Sequence, residues 1–80
     1  MEREQLRKIV AQHLEIEPDE LQSDTELASI ETFDSVSVLG LMIVLDEQAG
    51  IQMSLAELGG LRRYGDIEQI AVAQGVCLRD

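Results

Sequence analysis

Asp34 and Ser35 are the residues of this chain best placed to do chemistry. A carboxylate beside a hydroxyl, where a polar stretch gives way to an apolar one, is the arrangement of a helix start. Helix N-termini present unpaired backbone N–H groups and the positive end of the helix dipole. A phosphate attached to the Ser35 hydroxyl would be electrostatically well placed there. The tetrapeptide Phe33-Asp34-Ser35-Val36 closes a long acidic loop and opens an apolar segment that runs to about Ala49. Other reactive residues are sparse. The one histidine, His13, cannot build a multi-histidine centre, and the single cysteine, Cys77, excludes an internal disulfide. No nucleophile–base pair and no metal-ligand set is recognisable, which argues against an enzyme and against a metal site.

The elements that must position Asp34 and Ser35 are helical. Leu6, Ile9, Val10 and Leu14 recur at helical spacing and predict a first amphipathic helix over residues 2–14, with His13 at its polar boundary. Pro18 prevents its continuation and suits the first position of a short turn over residues 19–21. A loop of residues 15–34 follows, and Ile16, Leu21, Leu27, Ile30 and Phe33 are spaced to pin it onto a core. Asp34 is a natural N-cap for a second helix over residues 35–49, and Gly50 supplies its left-handed end. Within it Val38, Leu41, Met42, Leu45 and Ala49 form the core stripe. Gly40 costs about 1 kcal/mol relative to alanine, which suggests either a close approach by another group or simple drift. Ser54 and Glu57 form a capping box for a short helix that Gly59-Gly60 ends. A last helix is expected from Gly65-Asp66, capped by Asp66, with Ile67, Ile70 and Ala71 inward and Gly75 at its end. The tail from Val76 is expected to be frayed. The fold class is therefore all-α: a small four-helix bundle of three main helices and one short one. Its long first loop would let the first two helices lie apart or at an angle.

Composition agrees. Eighty residues with two aromatics, Phe33 and Tyr64, make a single domain over 1–80 with an aliphatic core. The balance is 16 acids against 6 bases, and no Lys or Arg occurs between Ile9 and Leu61. Such a surface repels nucleic acid and anionic membranes, keeps a small domain monomeric, and attracts basic protein patches. The sequence shows no signal peptide and no apolar run long enough to span a bilayer, so a cytoplasmic location is expected. Met1 opens the chain and no linker flanks it, which suggests a freestanding protein rather than a segment cut from the middle of a longer one.

The pattern resembles the acyl carrier protein family, including peptidyl and aminoacyl carriers, over nearly the whole chain. Asp34-Ser35-Val36 resembles the family's Asp-Ser-Leu attachment motif, and Asp24-Thr25-Glu26-Leu27 its preceding loop. Leu41-Met42-Ile43-Val44-Leu45-Asp46-Glu47 resembles the body of the recognition helix, and Tyr64-Gly65-Asp66-Ile67 the start of the last helix. The resemblance implies 4′-phosphopantetheine, transferred from coenzyme A by a phosphopantetheinyl transferase and linked to Ser35, with Asp34 capping the helix and contributing to recognition. The arm would hold an acyl or aminoacyl group as a thioester and present it to a loading enzyme and a downstream synthase or transferase.

Docking in this family uses the second helix and the loop before it. Here Val36, Leu39, Gly40, Ile43, Asp46 and Glu47 are expected to form that face. Fatty-acid carriers commonly have a glutamate where this chain has Gly40, and Leu39 and Ile43 make the face more apolar. This favours a specialised pathway of polyketide or nonribosomal-peptide type over a fatty-acid synthesis carrier. An unmodified acidic protein-interaction module is the other alternative. Burial of Leu39 or Ile43 beneath the loop would remove the apolar patch.

Overall fold

The computed structural model describes residues 1–80, Leu55 by its backbone alone. Four α-helices account for the architecture: α1 (Arg3–Leu14), α2 (Ser35–Ala49), α3 (Leu55–Gly59) and α4 (Tyr64–Ala73). Two short 3₁₀ turns, Pro18–Glu20 and Leu27–Ser29, lie in the loop between α1 and α2. The fold is the small helical bundle expected, with no strand among the described residues.

Helical periodicity translates directly into burial. Leu6, Ile9, Val10 and Leu14 of α1 are all buried, joined by Leu41 and Leu45 of α2 and Ile67 and Ala71 of α4. Val38, Met42, Ala49 and Ile70 pack at the edge of this core. Leu21 and Leu27 are fully buried, and Ile16, Ile30 and Phe33 pack against the core. The long loop is thus anchored by its own apolar residues, and its backbone polar groups find partners across the molecule. Leu27 N–H donates to Arg62 O at 2.8 Å, Tyr64 N–H to Thr25 O at 3.0 Å, and Gly65 N–H to Ser23 O at 3.0 Å. Glycine is required at 65, because a Cβ there would lie 2.7 Å from the Ser23 carbonyl oxygen.

Four expectations need correction. The loop contains a second turn, Leu27–Ser29, that no proline or capping pattern announced. Of the two arrangements the long connection allows, the one with the helices lying apart is excluded, since α1 and α2 pack directly on one another. Asp66 is not the N-cap of α4. The helix begins at Tyr64 with Arg63 as its N-cap. Asp66 sits in the first turn, and its Oδ2 accepts from Arg62 N–H at 2.9 Å and Arg63 N–H at 3.1 Å. These bonds pull its carboxyl below the usual carboxylate range.

The C-terminal tail, finally, is paired rather than frayed. Arg3 N–H donates to Arg79 O at 2.7 Å, and Arg79 N–H donates to Met1 O at 3.1 Å. Val76 and Leu78 pack on the core. The Arg3 guanidinium spans Asp80 and Glu68, each at 2.8 Å. Glu68 is buried, and Arg3 offsets the cost of its charge. Tyr64, also fully buried, faces Glu68 without a hydrogen bond closing to its hydroxyl. Burial, reinforced by the Glu68 charge, pushes the phenol well above its ordinary pKa.

Candidate functional site

The first turn of α2 is held by a reciprocal pair. Asp34 is the N-cap, in an extended backbone conformation. Its Oδ1 accepts from Ser37 N–H at 2.8 Å, while Asp34 N–H donates to Ser37 Oγ at 2.8 Å. The Ser37 hydroxyl also donates to Asp34 O at 3.0 Å. Two backbone donors that a helix start leaves unpaired are satisfied. The bond from Ser37 N–H, first among several, holds the Asp34 carboxyl below its ordinary range. At the other end Gly50 adopts a left-handed φ of 66° and closes the helix.

This turn contains two serines with different fates. Ser37 is half-buried and its hydroxyl is committed to the cap. Ser35 is exposed, and among the described residues its hydroxyl makes no hydrogen bond. Ser35 thus combines an accessible nucleophilic oxygen with the positive end of a helix of 15 residues. Those properties fit an O-linked phosphodiester. Phe33, packed against the core, anchors the chain just before it.

Along α2 the outward face is apolar near the serine and acidic further on. Val36 is 78% exposed, Leu39 49% and Ile43 55%. Asp46 and Glu47 are exposed beyond them. Neither Leu39 nor Ile43 is covered by the loop.

Gly40 differs from the rest of the face expected around it. It is half-buried and turned toward α1, where a Cβ would lie 2.7 Å from His13 Cε1. His13 Nε2 is 2.8 Å from Ser37 O. A carbonyl can only accept, so Nε2 carries the hydrogen. The close approach suggested by a glycine at 40 is thus made by His13. From sequence His13 is a boundary residue of the first helix and Ser37 does not stand out, although the Asp34-x-x-Ser37 spacing is a signal for the latter.

The family described as phosphopantetheine attachment site matches residues 4–71, most of the chain. The chain belongs to that family. No curated protein matches it. Members of the family are carriers without catalytic activity of their own, and the group they carry is covalent 4′-phosphopantetheine. Membership accordingly implies a phosphopantetheinyl transferase and acyl-handling enzymes as partners. Among the described residues no three or more His, Cys, Asp or Glu are grouped to hold a metal. Among the described residues no helix is long and apolar enough to cross a membrane.

Proposed function

We propose that this carrier bears its phosphopantetheine arm on Ser35 and serves a specialised biosynthetic pathway of polyketide or nonribosomal-peptide type. The observation that carries the attachment site is the contrast within one helical turn: the Ser37 hydroxyl is locked into the cap, whereas that of Ser35 is free and exposed. In the transfer, the Ser35 oxygen forms the new bond to phosphorus and loses its proton, while the bond from that phosphorus to the nucleotide half of coenzyme A breaks. The arm supplies a thiol on which the acyl group is held. The chain's own residues position and present it. Asp34 and Ser37 fix the turn, and tethering makes each meeting of cargo and docked enzyme effectively intramolecular.

The specialised pathway is supported by the docking face. Val36, Leu39 and Ile43 offer a partner an apolar contact beside the arm, with Asp46 and Glu47 at its far end. An apolar patch discriminates by shape among enzymes that all bring basic surfaces. Intact mass of the chain and its Ser35→Ala variant, after treatment with coenzyme A and a broad-specificity transferase, tests the attachment. Loading of the modified chain by acyl- and aminoacyl-transferring enzymes of different pathways tests the pathway class.

A further inference from the structure

A cleft of about 410 Å³ opens beside Phe33, lined chiefly by Glu26, Phe33, Leu61, Arg62, Arg63 and Asp66. It lies close to the proposed attachment point. Only Asp34 separates Phe33 from Ser35, a span of at most roughly 7 Å along the chain. Phe33 and Leu61 contribute apolar surface and Arg62 and Arg63 contribute charge.

The charge is unusual for this molecule. Arg62 and Arg63 are the first bases after Lys8 in a chain of net charge −10. Both are exposed, and among the described residues no carboxylate lies within 4.0 Å of either guanidinium. Neither acid in the cleft closes an ion pair with them, although, after the backbone N–H bonds, both guanidinium charges help to lower the Asp66 carboxyl. Asp66 is engaged by the backbone N–H groups of Arg62 and Arg63. Glu26 is held opposite Arg63 by a backbone bridge, but its side chain makes no ion pair. Two unpaired guanidinium groups beside an apolar surface suit a ligand with an anionic end and an aliphatic body, because the guanidinium fork matches a carboxylate.

We infer that this cleft receives the acyl group carried on Ser35, and that it selects acyl groups bearing a second, free carboxylate. Arg62 and Arg63 hold that carboxylate while the aliphatic part lies against Phe33 and Leu61. The inference rests on Ser35 carrying the arm. An exposed ion pair is weak by itself, but a tethered ligand is present at high effective concentration, so a weak site suffices. Glu26 is the internal competitor for the same cations.

The test compares succinyl and butyryl groups, matched in chain length, transferred with the arm from their coenzyme A thioesters and verified by intact mass. The readout is the side-chain Nε–Hε signals of Arg62 and Arg63 and the ring signals of Phe33 in nuclear magnetic resonance spectra. The succinyl form is expected to shift these signals relative to the butyryl form. Added salt should diminish the difference, Glu26→Gln should enlarge it, and the double variant Arg62→Gln, Arg63→Gln should lose the Phe33 shift. Identical succinyl and butyryl spectra, or a Phe33 shift that survives the double variant, would overturn the inference. Signals that move on attachment of the unloaded arm, and no further on succinylation, would assign the arginines to the arm's phosphodiester and also overturn it. Failure of the chain to gain any mass would reject the Ser35 reading, and this one with it; mass gain without carboxylate-dependent shifts rejects this one alone.

Discussion

The imidazole of His13 occupies the space that a side chain at position 40 would need. Its Cε1 would lie 2.7 Å from a Cβ on Gly40, while its Nε2 donates to Ser37 O at 2.8 Å. The glycine is thereby linked to the α1–α2 contact and, through Ser37, to the turn that carries Ser35. Its effect on stability should depend on His13. Alanine is favoured over glycine inside a helix by about 1 kcal/mol, but at position 40 it must displace a hydrogen bond of about 0.5–1.5 kcal/mol. Gly40→Ala in the native chain is therefore expected to change stability by less than about 1 kcal/mol. The same change in a His13→Ala background should stabilise by about 0.5–1 kcal/mol. Urea unfolding of the four chains measures this; equal effects in both backgrounds would mean that the two residues are not coupled.

Acid should loosen both helix starts. The carboxyls of Asp34 and Asp66 are depressed below their ordinary value of 3.8 by backbone N–H bonds. A group whose folded pKa is lowered contributes stability that is present above its unfolded pKa and is lost as pH falls through the folded one. The loss therefore lies below about pH 4. Asp34→Asn and Asp66→Asn retain an oxygen acceptor but cannot titrate, so each should flatten the acid limb of a plot of melting temperature against pH. An acid limb unchanged in both variants would contradict these assignments.

Tyr64 should resist ionisation. It is the only tyrosine, and there is no tryptophan, so the ultraviolet tyrosinate band reports this residue alone. Burial, with the Glu68 charge, raises its pKa above the ordinary 10.0. A raised folded pKa means that this group's contribution to stability is fully present below pH 10 and is lost as pH rises toward the folded value. The band is expected to appear above pH 10, together with loss of helical circular dichroism. A tyrosinate signal at the ordinary pH with the helices intact would show Tyr64 to be solvated.

Much of the fold was legible because it is written locally. Asp34 and Gly50 bracket α2, Ser54 and Glu57 open α3, and the period of Leu6, Ile9, Val10 and Leu14 marks the buried side of α1. What escaped depends on partners distant in sequence. The Arg3 bond to Arg79, the Arg3–Glu68 ion pair and the seating of His13 on Gly40 join residues brought together only by folding. Asp66 is ambiguous in sequence because an aspartate at the first helical turn can serve either as the N-cap or, as here, as a residue reaching back to it. The site followed the same division. Ser35 and Asp34 stand out in sequence, whereas the commitment of the Ser37 hydroxyl requires the geometry of the turn.

The exposed apolar face should be separable from the core. Leu39→Ser removes a residue that is 49% exposed, so stability should change by no more than about 0.5 kcal/mol. Association of the modified chain with its loading enzyme should weaken nonetheless. Charge reversal at Asp46 and Glu47 should instead slow association, with an effect that fades as salt rises. Unfolding of the Leu39→Ser chain would show that the face is structural.

The attachment site admits the most direct measurement. The chain is incubated with coenzyme A and a broad-specificity phosphopantetheinyl transferase, and the intact masses of the native, Ser35→Ala and Ser37→Ala proteins are recorded. The expected result is a gain of one phosphopantetheine on the native chain, none on Ser35→Ala, and retention of the gain on Ser37→Ala. No gain on the native chain, or a gain that survives Ser35→Ala, would contradict the assignment of Ser35.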